Sequence, residues 1–74
     1  MASARFSKGS EEWMMFVDFW ALCQKHWVPE NDELYWDAVN DDAREFCKKF
    51  ESIELAAPLM LAFVNCLDKQ ITGN

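Results

Sequence analysis

The stretch that decides the fold is residues 10–27, SEEWMMFVDFWALCQKHW. Its large apolar side chains recur at steps of three and four residues, which is the period of an α-helix. They form two adjacent stripes that cover about 220° of the helix circumference, whereas a surface helix usually buries a face of about 100°. We therefore expect a helix that is either sandwiched centrally or offers its second face to another chain.

The two stripes are distinct in composition. One consists of Trp13, Phe16, Val17, Trp20, Cys23 and Trp27, and the other of Met15, Phe19, Leu22 and His26. We expect Trp20 to be buried at the centre of the fold, together with Phe46 and Phe63 from two further helices.

The chain is short for its apolar content. It has 74 residues, of which 51% are hydrophobic and 15% aromatic, and a domain of this size buries only about 60% of its unfolded surface. The excess of apolar side chains over interior space favours self-association or a permanent protein partner.

The net charge of −6 is concentrated in one segment. Residues 30–42 contain six acidic residues and no Lys or Arg, and the acids and bases elsewhere balance. This distribution argues against direct binding to nucleic acid or to an anionic membrane, since both require clustered basic residues. Acidic residues at the start of a helix also complement its dipole, which is a purely structural explanation.

Several features predict a cytoplasmic protein. The three cysteines are irregularly spaced and predict reduced thiols rather than a disulfide framework. The amino-terminal residues lack the apolar region of a signal peptide. No apolar run reaches the roughly 18 residues needed to span a membrane.

Three helices are expected, at about 10–28, 32–50 and 53–71. Asn31 or Asp32 can cap the second helix. Pro58 fits the third helix best within its first turn, and it would bend a helix that began at Ile53. Residues 1–9 are expected to be a flexible arm, although Phe6 could fold back on the first helix, and residues 72–74 a disordered tail.

The predicted fold is an all-α, up-down-up three-helix bundle with one domain at residues 10–71. Short connections make consecutive helices antiparallel. Helix two is amphipathic and is expected to face solvent, whereas helices one and three carry surplus apolar surface. The predicted interaction face comprises Trp13, Phe16, Phe19, Trp20, Trp27, Met60 and Phe63.

The chain also resembles a group of viral proteins. Residues 6–27 (FSKGSEEWMMFVDFWALCQKHW), followed by Pro29, Tyr35 and Trp36, are similar to short uncharacterised proteins encoded by phages and prophages of Gram-positive gut bacteria. The resemblance implies a phage origin and an intracellular bacterial setting. It implies no activity and no site residues.

Metal and catalytic chemistry find little support. Cys23 and His26 have a spacing that suits zinc, and Cys47 and Cys66 could complete four ligands. In an antiparallel bundle, however, Cys47 lies roughly 20 Å away along helix two. A Cys23–His26 nucleophile pair would lack an oxyanion hole and an orienting third group. We expect no metal, no cofactor and no enzymatic activity.

Three binding functions remain open. The first is a homodimer that associates through the aromatic faces of helices one and three. The second is a monomeric adaptor whose aromatic groove takes a helix from another protein. The third is an acidic inhibitor of a host defence nuclease, which would imitate nucleic acid with Glu33, Asp37, Asp41 and Asp42.

Overall fold

Three α-helices make up the fold. The structure, a computed structural model, describes residues 5–72, and its helices are α1 (Glu11–His26), α2 (Glu33–Lys49) and α3 (Ala56–Thr72). Each helix packs against the other two, and residues 5–72 contain no strand. The predicted all-α three-helix bundle is therefore confirmed. Thr72 belongs to α3, and the rest of the predicted tail and residues 1–4 of the predicted arm lie outside the described residues.

Side-chain caps set where α1 and α2 begin. The Ser10 hydroxyl accepts a hydrogen bond from the Trp13 backbone N–H at 3.3 Å. The Asp32 carboxylate accepts one from the Tyr35 N–H at 2.7 Å, so Asp32 rather than Asn31 is the cap. Such bonds satisfy donors that have no partner within the helix.

Proline sets the start of α3. A helix beginning at Ile53 would require the nitrogen of Pro58 to donate a hydrogen bond that it cannot make. The chain instead turns through residues 51–55 and becomes helical at Ala56, three residues later than predicted. Pro58 then lies in the first turn, where no N–H is needed.

The core is aromatic at its centre. The ring of Phe19 from α1 lies 6.0 Å from that of Phe46 and 5.9 Å from that of Phe63. The predicted burial of Phe46 and Phe63 is confirmed. The buried apolar residues are Met15, Val39, Phe46, Phe50, Ala56, Met60, Phe63 and Leu67.

The predicted burial of Trp20 is wrong. Its side chain is 67% exposed, whereas Met15 on the other stripe is 1% exposed. The apolar arc of α1 is about twice as wide as one buried face, so periodicity alone does not select the inward side. The inward stripe carries a flexible methionine, which fills irregular gaps in a core, and His26, which finds a polar partner on α2.

Polar contacts link α1 to the carboxyl end of α2 and the turn that follows it. Lys49 Nζ lies 2.7 Å from the Asp18 carboxylate. The Ser52 hydroxyl donates to Glu11 at the same end of the bundle.

Among the described residues, no helix is both long and apolar enough to cross a membrane.

Candidate interaction surface

The outward side of α1 forms an apolar surface that we call the aromatic face. It is an open groove of about 380 Å³ lined by Phe6, Trp13, Phe16, Val17 and Trp20. All five side chains are apolar and all are exposed. Large contiguous apolar patches on a protein surface are candidate interaction sites.

Phe6 reaches this face because the arm turns back along α1. Gly9 has a φ of 88°, a left-handed conformation that glycine adopts without a steric penalty. Beside it, the Ser10 N–H donates to the Ser7 carbonyl at 2.9 Å. The Phe6 ring then stacks on Phe16 with centroids 5.8 Å apart. Part of the predicted flexible arm thus packs on the helix.

Tryptophans recur along the outward side of α1 at seven-residue steps. Trp13 and Trp20 line the groove. Trp27, which caps the carboxyl end of α1, is 63% exposed. Seven residues are close to two helical turns, so all three indoles lie on one side of the helix. The aromatic surface therefore extends beyond the groove to the end of α1.

Three residues of the predicted interaction face lie elsewhere. Met60 and Phe63 are buried in the core, and Phe19 is half-buried between Phe46 and Phe63. The prediction of aromatic faces on both α1 and α3 is corrected to one face on α1, because the only aromatic residue of α3 is packed inside. Sequence periodicity correctly placed Trp13, Phe16, Trp20 and Trp27 together.

A polar cluster joins the end of α1 to α2. His26 is 3% exposed, and its Nε2 atom lies 2.7 Å from an Asp42 carboxylate oxygen. Lys25 Nζ lies 2.9 Å from the same oxygen. The Tyr35 hydroxyl donates to the His26 carbonyl at 2.7 Å, and the Tyr35 ring meets the imidazole edge-on. Sequence analysis missed this cluster.

Burial and charge shift three pKa values in this region. Burial alone would raise the pKa of Asp42, but the hydrogen bonds and positive charges of His26 and Lys25 outweigh it and lower that pKa. Burial, and then the Glu30 charge, raise the pKa of Tyr35. Burial raises the pKa of the Cys23 thiol, so less of it is present as the nucleophilic thiolate at neutral pH.

The four acidic residues of the alternative hypothesis do not form one free anionic surface. Asp42 is half-buried and paired with Lys25 and His26. Asp41 lies 2.6 Å from Arg44. Glu33 and Asp37 are exposed.

A second groove lies between α2 and α3, on the side away from α1. Its volume is about 680 Å³, and its apolar lining includes Ala43, Cys47, Ala57 and Val64. Its α2 rim is polar and of mixed charge, with Asp37, Asp41 and Arg44. Sequence analysis did not predict this groove, since its lining comes from two helices.

The thiols and carboxylates do not form a metal site in the part of the chain that is described. Residues 5–72 contain no group of three His, Cys, Asp or Glu side chains placed to hold a metal ion. Cys23, Cys47 and Cys66 are free thiols.

Comparisons with known proteins identify no relative. The sequence matches no protein-family model, and neither a curated protein nor a solved structure shows significant similarity to it.

Proposed function

We propose that this protein is a small, non-catalytic interaction module that forms a homodimer through the aromatic face of α1. The observation that carries this proposal is the groove lined only by apolar side chains of α1 and its arm. Burying such surface is the main favourable contribution to protein association. The three free thiols support placing this module in the reducing cytoplasm.

The exposed apolar area is close to what a dimer interface buries. Met14 and Trp27 flank the aromatic face and are also exposed. If a fully exposed large side chain presents about 200 Å², these two and the five face residues present about 700 Å². A standard protein interface buries about 800 Å² on each partner. Tryptophan is also enriched among the residues that dominate binding energy.

The nucleic-acid mimic has weaker support. Two of its four acidic residues are engaged by His26, Lys25 or Arg44 within the chain. The side chains of the aromatic face, by contrast, remain exposed in the described chain.

Sedimentation equilibrium tests the proposal. Wild-type protein is expected to shift from 8.7 kDa to twice that mass as the concentration rises. Trp13→Ala/Trp20→Ala is expected to stay monomeric, because it removes both indoles of the groove. Leu34→Ala/Leu61→Ala, which removes exposed apolar side chains outside the face, is the matched control and should dimerise like the wild type. A monomeric wild type, or equal dimerisation of both variants, would contradict the proposal.

A further inference from the structure

We propose that the second copy docks antiparallel on the aromatic face, with Trp20 at the two-fold axis and Trp13 against the partner's Trp27. This inference rests on the proposed function and adds the orientation of the partner. The spacing of the tryptophans and the charges of the segments on either side of α1 support this orientation.

The tryptophan spacing is symmetric about Trp20. Trp13 and Trp27 each lie seven residues away, about 10 Å along the helix. A two-fold axis through Trp20 and perpendicular to α1 therefore brings Trp13 to the level of the partner's Trp27. A two-fold interface of this kind is isologous, since the same patch serves on both copies.

The segments on either side of α1 carry opposite charges. The first turn of α1 itself carries Glu11 and Glu12 and its last turn carries Lys25, but Glu11 accepts a hydrogen bond from Ser52, Glu12 is half-buried, and Lys25 pairs with Asp42 within the chain. Arg5 and Lys8 lie in the arm at the amino end of α1, and both are exposed. Glu30 lies in the connection beyond its carboxyl end, and Glu33 begins α2; both are exposed. An antiparallel pair places the basic arm of each copy beside the acidic connection of the other. A parallel pair would place like charges together at both ends, which disfavours association.

This arrangement also accounts for part of the acidic segment. Glu30 and Glu33 have no ion-pair partner among the described residues. Exposed ion pairs are individually weak. Two-fold symmetry repeats each contact, so these charges act mainly on the orientation of the partner while the aromatic face supplies the affinity.

Charge reversal tests the orientation. Arg5→Glu/Lys8→Glu makes both ends acidic, and Glu30→Lys/Glu33→Lys makes both ends basic. Each variant alone is expected to dimerise at least about tenfold more weakly than the wild type, while a 1:1 mixture is expected to recover dimers within about threefold. The measurement is sedimentation equilibrium with circular dichroism to confirm folding.

Matched variants separate local from overall charge. Lys48→Glu/Lys69→Glu and Glu54→Lys/Asp68→Lys produce the same two net charges with substitutions on α2, α3 and the turn between them. These are expected to dimerise like the wild type. If they weaken dimers as much as the end variants do, or if the mixture does not recover, the antiparallel arrangement is wrong. A wild type that stays monomeric overturns the proposed function itself.

Distance measurement provides a second test that is independent of charge. A spin label at Val28→Cys, with Cys23→Ala, Cys47→Ala and Cys66→Ser, should give an inter-label separation of at least about 24 Å in the antiparallel dimer. A parallel dimer would bring the labels to about the helix–helix spacing of 10 Å. Strong dipolar coupling at the shorter separation would overturn the orientation while leaving the dimer intact.

Discussion

Asp42 and His26 form a hydrogen-bonded contact that joins the end of α1 to the middle of α2, with His26 Nε2 and Asp42 Oδ2 2.7 Å apart. His26 is almost completely buried and Asp42 is half-buried. A buried polar group without its partner is costly, whereas a paired one is tolerated. The pair therefore explains how a histidine is accommodated at the edge of an apolar core.

We expect Asp42→Asn to destabilise the protein by about 1.5–3 kcal/mol near neutral pH, because it removes a charged hydrogen-bond acceptor from a buried imidazole. Urea unfolding measures this difference. Asp41→Asn is the control, since it disrupts only an exposed pair and should cost less than about 1 kcal/mol. Equal losses in both variants would contradict the structural role of Asp42.

The stabilisation from Asp42 depends on pH. Its folded pKa is lowered, so its contribution is present above the usual aspartate pKa of about 3.9 and is lost as the pH falls through the folded value. The difference in unfolding free energy between the wild type and Asp42→Asn should shrink as the pH falls below about 4. A difference that grows as the pH falls below about 4 would contradict the lowered pKa of Asp42.

Trp20 and Phe63 are expected to differ sharply in their effect on stability. Phe63→Ala leaves a cavity in the core and should cost about 3–5 kcal/mol. Trp20→Ala removes a mostly exposed side chain and should cost less than about 1 kcal/mol. Chemical unfolding at protein concentrations too low for dimerisation compares the two variants, since dimerisation itself would add stability. A loss in Trp20→Ala comparable with that in Phe63→Ala would place Trp20 in the core after all.

The cap of α2 offers another stability test. Asp32→Ala should cost about 1 kcal/mol, because the Tyr35 N–H loses its acceptor. Asn31→Ala is the neighbouring control and should change the unfolding free energy by no more than about 0.5 kcal/mol. Thermal unfolding measures the stability of both variants. A larger loss for Asn31→Ala than for Asp32→Ala would mean that Asp32 is not the cap.

The sequence predicts the inward face of α2 better than that of α1. In α2 the apolar positions form one narrow stripe, so its inward face, with Val39, Phe46 and Phe50, was predictable. In α1 the apolar arc was too wide, so the pattern identified a surplus of apolar surface but selected the wrong inward side. The start of α3 was uncertain because Pro58 permitted two positions, and only the turn before it decides between them.

The candidate site was predictable in part for the same reason. Periodicity grouped the α1 aromatics correctly, because residues on one helix keep fixed angular relations. It wrongly added Met60 and Phe63, since an all-round apolar helix does not reveal which side is covered. The His26–Asp42 pair joins residues 16 positions apart on different helices, and no local pattern signals such a contact.

The measurement that tests the central claim most directly is the concentration dependence of the indole N–H signals in ¹H–¹⁵N NMR spectra. The protein has four tryptophans, and Trp36 is half-buried on α2 against Tyr35 and does not line the groove of the aromatic face. On dilution from the millimolar to the low micromolar range, the signals of Trp13, Trp20 and Trp27 should shift together while that of Trp36 stays fixed. Four signals that do not move, or a shift confined to Trp36, would contradict dimerisation through the aromatic face of α1.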